Sequence, residues 1–345
     1  MLSVTTSIFH QFEGEVMKLY RYFQVIALFF FSFIITACGT SEPPASELPP
    51  LEIAVDAWPG FMPVVLAAEL GYFEEEGVEV KYVFNESSRQ QRLEFEGGGY
   101  DGITLALGSF IAVSAEAPDT RVVMLSDIST TGDAVVVRSE IESIADLKGK
   151  SIVLGAAGYG EVVVSTMLQQ AGLSGDDVIW VAMQNENEAL EMLKDGRVDA
   201  FQTWEPFVTR AVQDGAKVIF TGADVPGLIP DAVGFHERVL LERPEDVKAF
   251  MRGWFRAVDY WLANPEAATR LLSEAVGLSP EELSIDGMEL LTLEQNRQFF
   301  EPGNDFSSIY YAAQVYLDFF VRKGVIDAPL DVNTLIDASF IYALP

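Results

Sequence analysis

The sequence has little cysteine, little histidine and few basic residues, and each shortage excludes a class of protein. Its 345 residues include one cysteine, Cys38, and two histidines, His10 and His236. One cysteine cannot form an internal disulfide, and so few cysteines and histidines cannot build a Cys/His metal cluster. There are 22 lysines and arginines against 52 acidic residues, for a formal net charge of −30. Because nucleic acids and anionic lipids attract basic surfaces, neither is expected as an electrostatic partner. No metal and no cofactor are predicted.

An apolar run near the N-terminus has the length of a signal-peptide core. The run "VIALFFFSFIITA" covers 25–37, whereas a membrane-spanning helix needs about 20 apolar residues. Lys18 and Arg21 precede it, as the positive end of a signal requires. The acidic residues upstream of Met17 do not fit a signal, so we expect translation to start at Met17. Residues 1–37 are assigned to the signal peptide.

Cys38 directly follows this run. The stretch "ITAC" that ends at Cys38 resembles a bacterial lipobox, the signal whose cysteine is lipidated and becomes the mature N-terminus. An ordinary signal peptide with a chance cysteine is the alternative. The next residues, "GTSEPPASELPP", are polar and rich in proline, a composition that makes an extended spacer. Residues 38–50 are therefore predicted to be a lipidated cysteine and a tether that hold the chain at a membrane, outside the cytoplasm.

Strand-like and helix-like segments alternate from Leu51 to about Phe220. The strand candidates are "LEIAVD", "VEVKYVF", "GITLAL", "RVVML", "DAVVV", "SIVLG", "VIWVA" and "VDAFQ". Helical patterns lie between them, for example at 161–171 and 186–194. This alternation predicts an α/β fold with mostly parallel sheets.

Two segments of the chain echo each other. "GGGYDGITLA" (97–106) and "DGRVDAFQTW" (195–204) both contain glycine, a short turn, an aspartate, a small residue and an apolar strand. Two similar α/β lobes would produce this echo, and so would chance.

The chain from Pro244 onward is mostly helical in pattern and rich in aromatic residues. "PEDVKAFMRGWFRAVDYWLANPE" places apolar residues at helical spacing, namely Val247, Phe250, Trp254, Ala257 and Trp261. This stripe is interpreted as core packing, not as a ligand site.

Three loops after strand candidates have the composition of ligand-binding loops. "GAAGYGE" (155–161) opens a helix, and its glycines let backbone amides approach a ligand or form a plain tight turn. It matches neither a Walker A loop nor the dinucleotide fingerprint. "DAWPGF" (56–61) and "TWEPF" (203–207) each put a tryptophan at the carboxyl edge of a sheet. Each tryptophan could stack on a ligand or pack against the following helix.

The sequence contains no clear arrangement of catalytic residues. Acidic residues abound near strand ends, but no spacing singles out an acid–base pair. Those near strand ends are Asp56, Glu86, Asp127, Asp133, Glu186 and Glu205. Without the signal peptide, His236 is the one histidine, and "VGFHERVL" reads as a strand in which a structural histidine is favoured.

Several stretches together carry a family resemblance. They are "WPGFMPVVLAAELGYFEEEGVEVKYV", "GYDGITLA", "SIADLKGKSIVLG", "GRVDAFQTWEPF" and "PEDVKAFMRGWFRAVDYWLANPEAA". In order and spacing they resemble the solute-binding proteins of ABC importers, in the branch that includes binders of aliphatic sulfonates, taurine, nitrate and thiamine-pyrimidine precursors. The resemblance covers roughly 51–340.

The resemblance implies a type II periplasmic-binding fold, in which two α/β lobes are joined by two crossovers and ligand binds in the cleft. The crossovers are expected near 127–137 and 228–237, with the C-terminal helices packed mainly on the first lobe. The expected division assigns 51–130 and 237–345 to lobe 1 with these helices, and 131–236 to lobe 2. The implied partners are a small-molecule ligand and the permease and ATPase subunits of an importer.

The loops expected to face the cleft contain the candidate ligand-binding residues. They are Trp58, Phe61, Glu86, Ser87, Ser109, Asp127, Gly158, Tyr159, Asn185, Trp204 and Glu205. These loops hold almost no basic residue, Arg89 being the nearest, and an anion beside buried carboxylates would be unfavourable. This favours a planar or amine-bearing, pyrimidine-like compound over a sulfonate, taurine or nitrate, which backbone amides and hydroxyls could still bind.

Two other functions share this fold. A receptor-coupled sensor would use the same cleft, and a neighbouring permease and ATPase gene pair would distinguish an importer from it. Thiamine-pyrimidine synthases of fungi are enzymes that carry a substrate histidine and a cysteine-rich motif. This chain has neither motif, so it is predicted not to be an enzyme.

Overall fold

The structure is a computed structural model that describes residues 48–85, 87–155, 158–326 and 330–345. The predicted signal peptide, Cys38 and most of the tether lie outside the described residues, and so does Glu86. Residues 48–345 form one compact unit.

The described chain alternates strands and helices. The strands are β1 (Leu51–Val55), β2 (Val80–Phe84), β3 (Gly102–Ala106), β4 (Thr120–Ser129), β5 (Asp133–Val137), β6 (Ser151–Leu154), β7 (Ile179–Ala182), β8 (Ala200–Trp204), β9 (Lys217–Thr221), β10 (Pro230–His236) and β11 (Met288–Leu290). The helices are α1 (Pro63–Glu69), α2 (Tyr72–Glu75), α3 (Ser88–Glu96), α4 (Leu107–Glu116), α5 (Tyr159–Gln170), α6 (Glu186–Lys194), α7 (Phe207–Gln213), α8 (Glu237–Glu242), α9 (Pro244–Ala263), α10 (Pro265–Val276), α11 (Leu293–Phe299), α12 (Ile309–Lys323), α13 (Val332–Leu335) and α14 (Ser339–Ala343). Short 3-10 turns lie at Pro59–Phe61, Ile144–Leu147, Gly175–Asp177 and Gly222–Asp224.

The strands form two sheets with the same internal order. The first sheet runs β11-β4-β10-β3-β1-β2 and the second runs β7-β6-β8-β5-β9. In each, three parallel strands are followed by a strand antiparallel to them and then by a strand antiparallel to that one. The first sheet has β11 as a further antiparallel strand at its edge. The two echoing segments of the sequence end in β3 and β8, which hold equivalent positions in the two sheets. The echo therefore marks two similar lobes, and the expected α/β architecture is confirmed. The sheets are mixed and not mostly parallel, because four of the described strand pairs are parallel and five are antiparallel.

The chain passes from the first sheet to the second between β4 and β5, and it returns between β9 and β10. β10 pairs antiparallel with β3 and β4, so it belongs to the first sheet. The division expected from sequence counted residues through 236 with lobe 2. It differs because β10 follows its crossover directly and its apolar residues fill the first sheet.

All eight strand candidates are strands in the structure, and the strand read in "VGFHERVL" is the end of β10, whereas β9 and β11 were not anticipated. β4 continues to Ser129 through the acidic Asp127, although a crossover was expected to begin there. β9 and β11 are short strands at sheet edges, and β11 lies in a region whose pattern is mostly helical.

The aromatic stripe of α9 is core, as predicted. Its five apolar positions are all buried, and Phe250 contacts the rings of Phe73, Phe235 and Trp254. α9 packs on α1 and α2 of the first lobe. In the part of the chain that the structure describes, no helix combines the length and apolar character that crossing a membrane requires.

Candidate functional site

A partly open cavity of about 230 Å³ is lined by residues from both sheets. The first lobe contributes residues that follow β1 and residues around the starts of α3 and α4. The second lobe contributes the start of β5, the glycine-rich loop before α5 and the end of β8. These are carboxyl-edge positions of the parallel strands, where open α/β sheets bind ligands.

Four aromatic side chains form much of the apolar wall. Trp58 and Phe61 come from the first lobe, and Tyr159 and Trp204 come from the second. The Tyr159 and Trp204 rings lie 6.3 Å apart at an angle of 54°, and Trp204 meets Phe207 edge to face. Trp58, Phe61 and Trp204 are at most 8% exposed. Each tryptophan thus lines the cavity and also packs in the core. The sequence had suggested these two roles as alternatives.

Three buried carboxyl groups face the same cavity: Asp56, Asp133 and Asp231. Asp56 Oδ1 accepts a hydrogen bond of 2.9 Å from the backbone N–H of Trp58. Burial, together with the nearby Glu186, raises the pKa of Asp56 to about 7. Burial also raises the pKa of Asp133 to about 6, although bonds from Ser129 and Tyr159 oppose the rise. The cavity therefore carries carboxyl groups that change charge near neutral pH.

Asp231 lies directly opposite Asp127 across the antiparallel pair β10 and β4. Asp127 accepts hydrogen bonds from Trp58 Nε1 at 3.1 Å and from Ser126 Oγ at 2.8 Å. Burial and the neighbouring Asp127 raise the pKa of Asp231 well above its ordinary value. Like charges directly opposite on paired strands repel. The two facing carboxyls avoid this repulsion when they share one proton.

Tyr159 connects the carboxyl groups to the second lobe. Its hydroxyl donates to Asp133 Oδ1 and accepts a 3.3 Å bond from Gln202 Nε2. Gln202 in turn lies against Gly160, where an added Cβ would be 2.0 Å from Gln202 Oε1. The glycine at position 160 thus makes room for Gln202, whereas the sequence suggested either a close approach of ligand or a plain tight turn for this loop.

The basic groups of the cavity lining come from the first helix turns of α3. Arg89 and Arg92 of α3 line the cavity, and Arg92 Nε lies 3.3 Å from Glu96 Oε1. Ser88 Oγ donates a 2.5 Å hydrogen bond to Glu186 Oε1 at the start of α6. Because α3 belongs to the first lobe and α6 to the second, this bond joins the two rims of the cleft.

Six of the predicted site residues line the cavity: Trp58, Phe61, Ser109, Gly158, Tyr159 and Trp204. Four others lie nearby but outside its lining because backbone groups or neighbours use their polar atoms. Ser87 and Asn185 are N-caps of α3 and α6, and Glu205 accepts from the Thr209 backbone N–H at 3.0 Å. Asp127 is covered by Trp58. Glu86 lies outside the described residues.

Several lining residues were not among the predicted site residues: Asp56, Ser88, Arg92, Asp133, Gln202 and Asp231. Asp231 carried a usable signal, because it follows "LIP" and precedes an apolar strand. An acid inside such a strand is rarely buried without a partner or a function. Gln202 carried no such signal, since a polar residue within a strand is also typical of an outward-facing position.

His236 has a structural position away from the cavity. Its ring stacks on Phe95, its Nδ1 lies 3.1 Å from Asp119, and its Nε2 lies 2.9 Å from the Phe95 carbonyl oxygen. This agrees with the interpretation of a structural histidine. Among the described residues, no group of three or more histidine, cysteine or acidic side chains is placed to hold a metal ion.

Two α/β sheets that are joined by two crossovers and line one cavity together define the type II periplasmic-binding fold. The alkanesulfonate-binding protein SsuA from Xanthomonas axonopodis pv. citri, solved with bound MOPS, matches with a TM-score of 0.70. It is 18% identical, and the match covers 85% of this chain and 99% of that one. At this identity the likeness concerns the fold.

The chain belongs to the NMT1/THI5-like family, whose model matches residues 58–268. It is 27% identical over 321 residues to a "Putative aliphatic sulfonates-binding protein" of Bacillus subtilis (strain 168), covering 90% of this chain and 92% of that protein. It is 25% identical to a 4-amino-5-hydroxymethyl-2-methylpyrimidine phosphate synthase of Aspergillus parasiticus, covering 80% of this chain and 83% of that protein. The family thus includes binding proteins and an enzyme.

Proposed function

We propose that the chain is the extracytoplasmic solute-binding component of an ABC importer and that its solute is a small, planar, amine-bearing organonitrogen compound. The observation that carries the proposal is the cavity itself. It is lined by three carboxyl groups and by aromatic rings contributed by both lobes. Aromatic faces suit a planar ring, and carboxyl groups accept hydrogen bonds from ring or amino N–H groups.

The size of the cavity supports a small solute. At about 230 Å³ it is smaller than the roughly 300–1,000 Å³ of pockets that hold drug-sized ligands. A single substituted ring is therefore the size class that fits with the lobes in this arrangement.

A binding protein agrees better with the side chains of the cavity than an enzyme does. No cysteine or histidine is among the described residues that line it. The ring nitrogens of His236 face Asp119 and the Phe95 carbonyl instead. The relative from Bacillus subtilis carries a binding name, which supports the same proposal.

A sulfonate solute is the second candidate. It is favoured by Arg89 and Arg92 in the cavity lining and by the names of the relatives. Against it stand the three buried carboxyl groups of the same lining, which would repel an anion unless they are protonated.

A thermal-shift screen separates the candidates. The panel contains aminopyrimidines, methanesulfonate, taurine and nitrate. A solute at about a hundredfold excess over its Kd adds about 2.7 kcal/mol, which raises Tm by several degrees. We expect an aminopyrimidine to raise Tm and the anions to leave it unchanged. A shift produced by the sulfonates alone would contradict the organonitrogen assignment.

We further propose that Cys38 anchors the protein through a lipid. The support is the lipobox-like sequence and the proline-rich spacer after it. Cys38→Ala is expected to abolish incorporation of a fatty-acid analogue and to leave an unprocessed precursor or a released soluble form. Equal labelling of wild type and variant would contradict the anchor.

A further inference from the structure

The cavity has more buried acid than its basic residues can neutralise. Asp56, Asp133 and Asp231 are each at most 5% exposed and all line it. The basic groups among the described lining residues are Arg89 and Arg92 on α3. Arg89 is exposed, and Arg92 lies beside Glu96. Since a buried carboxylate without a counter-charge is costly, the site needs either protons or a cation.

Asp231 is the cavity carboxyl that has an oxygen without a hydrogen-bond donor. Its Oδ2 is inaccessible to solvent and receives no N–H or O–H hydrogen bond from the residues that the structure describes. The carboxyl of Asp127 lies directly opposite on β4 and supplies no proton of its own when both are ionised. A buried acceptor that no side chain satisfies calls for a proton, which the two carboxyls can share.

Aromatic rings lie directly beside these carboxyls. Trp204 pairs with Asp133 across β8 and β5, the Tyr159 hydroxyl donates to Asp133, and all three residues line the cavity with Asp231. Aromatic faces attract cations through the ring quadrupole, so carboxyls and rings here favour the same charge on a ligand.

We propose that the solute carries a positively charged, planar nitrogen group that lies against Asp133 and Asp231 and displaces the proton that these carboxyls and Asp127 hold in the empty protein. The inference rests on the proposed function and narrows it. A neutral pyrimidine would agree with the proposed organonitrogen solute but not with a cationic one. No covalent step is involved: a proton leaves for solvent as the cation takes its place.

Other titratable groups surround these carboxyls on every side. They are Asp56 after β1, Glu186 on α6, Glu205 after β8, Tyr159 on α5, Tyr316 on α12, and Arg89 and Arg92 on α3. The two tyrosines have raised pKa values because they are buried near Asp133, so they stay neutral in the neutral range. The arginines stay charged, so the carboxyls are the groups that titrate.

The pH dependence of affinity follows from the charge state of the carboxyl groups that a cation prefers. A cation binds the ionised carboxyls, and burial raises the pKa of Asp133 to about 6. Protons must therefore leave on binding at mildly acid pH, and affinity must rise as pH increases. If one proton is released, the affinity increases about tenfold per pH unit below the titration.

Benzamidinium is the probe, because its amidinium group is planar and keeps its charge throughout the range used. Benzamide is the neutral probe of the same shape, and benzenesulfonate is the anionic one. Titration calorimetry from roughly pH 5 to roughly pH 8, in buffers with different ionisation enthalpies, gives both the affinity and the number of protons released. We expect benzamidinium to bind at least tenfold tighter than benzamide at the upper pH and to release about one proton at the lower pH.

Two isosteric variants test the carboxyls, and one serves as a control. Asp231→Asn and Asp133→Asn keep the side-chain shape but remove the charge. Each should weaken benzamidinium binding at least tenfold at the upper pH and reduce the proton release. Asp259→Asn changes an exposed residue of α9 outside the cavity and should bind as wild type does. Thermal unfolding of each variant without ligand shows that it is folded.

The outcomes are separable from those of the proposed function. The inference is overturned if benzamidinium binds at no pH in the range. It is also overturned if benzamidinium binds at the lower pH without releasing a proton. If a neutral aminopyrimidine binds with a pH-independent affinity, the organonitrogen function stands and the cationic solute is wrong. If benzenesulfonate alone binds, both assignments are wrong, and the chain remains a solute-binding protein of another specificity.

Discussion

At the residue scale, Trp58 joins the core of the first lobe to the charge of the site. Its ring is 3% exposed, and its Nε1–H lies 3.1 Å from Asp127 Oδ2 and 3.2 Å from Asp127 Oδ1. Its backbone N–H donates to Asp56. One residue thus supplies a donor to two of the buried carboxyls, and its side chain still forms part of the cavity wall.

The Trp58→Phe substitution should destabilise the protein more at alkaline than at acidic pH. Phenylalanine keeps most of the ring but removes the N–H group that stabilises ionised Asp127. Leaving a buried charged acceptor short of a donor costs about 1–3 kcal/mol, and the cost falls once Asp127 is protonated. Urea unfolding at roughly pH 8 and roughly pH 5 measures the difference.

The matched control is Trp180→Phe. Trp180 Nε1 donates a 2.8 Å bond to the Gly175 carbonyl oxygen, which does not titrate. Its loss should therefore cost about the same at both pH values. An equal pH dependence for the two variants would contradict the role of Trp58 in stabilising charge on Asp127.

The Asp56→Asn substitution should make the protein less sensitive to alkaline pH. Burial raises the pKa of Asp56 to about 7, against about 3.9 in an unfolded chain. The folded state then binds more protons than the unfolded state between these values, so stability falls as pH rises through this window. Asparagine removes that penalty and can still accept the Trp58 backbone N–H.

The size of this effect follows from the same linkage. Between roughly pH 5 and roughly pH 8, the wild type should lose about 1–3 kcal/mol that Asp56→Asn retains. Urea midpoints across this range measure it. A variant that loses stability with pH as steeply as the wild type would show that Asp56 is not the titrating group.

At the element scale, the 3-10 turn Pro59–Phe61 brings Trp58 and Asp127 together. An added Cβ on Gly60 would lie 2.0 Å from Asp127 Oδ2 and 2.5 Å from Trp58 Nε1. Real Cβ atoms do not approach other atoms so closely. The glycine is therefore required by the side chains that pack over the turn.

Gly60→Ala should break the Trp58–Asp127 contact and destabilise the fold. Crowding of this kind in a packed region costs about 1–3 kcal/mol. Gly97→Ala is the control, because the nearest atoms to its added Cβ are backbone oxygens at 3.5 Å. Thermal unfolding and tryptophan fluorescence of both variants measure the effect. Equal stability of the two would show that the turn can move away from Asp127.

The elements that hydropathy could predict are those whose apolar residues continue without interruption. β1, β5 and β6 read as strands from sequence because every second or every residue is apolar. β4 was truncated in the prediction because Asp127 interrupts it, and β10 was counted with the wrong lobe. The acid in β4 obscured the end of that strand, whereas β10 was assigned to lobe 2 because it directly follows a crossover. Register, which sets Asp231 opposite Asp127, depends on strand pairing and is not readable from one sequence.

At the scale of the whole molecule, side chains hold the two lobes together around the cavity. The Arg210 Nε group of α7 lies 2.7 Å from Glu282 Oε1, which precedes β11 of the first sheet. Ser88 and Glu186 make the second contact between the rims. Neither Arg210 nor Glu282 lines the cavity. Their pairing can therefore affect a ligand through the arrangement of the lobes and not through contact.

Breaking this ion pair should weaken ligand binding without changing the site. Arg210→Gln and Glu282→Gln remove one charge each from a pair whose side chains are 23% and 18% exposed. If the pair favours the closed arrangement, its loss makes closure cost more, and affinity falls by the same free energy. A pair of this exposure contributes about 1 kcal/mol, which corresponds to about fivefold in Kd.

Calorimetry and small-angle scattering together test closure. The control is Lys194→Gln, which breaks the Lys194–Asp214 pair within the second lobe, where the atoms are 3.1 Å apart and both side chains are more exposed. The empty Arg210→Gln and Glu282→Gln proteins should have a larger radius of gyration than wild type, and ligand should restore the compact value. The double variant should lose no more affinity than either single one, because both remove the same contact. Additive losses, or weaker binding with an unchanged radius of gyration, would mean that Arg210 and Glu282 act on the ligand by a route other than closure.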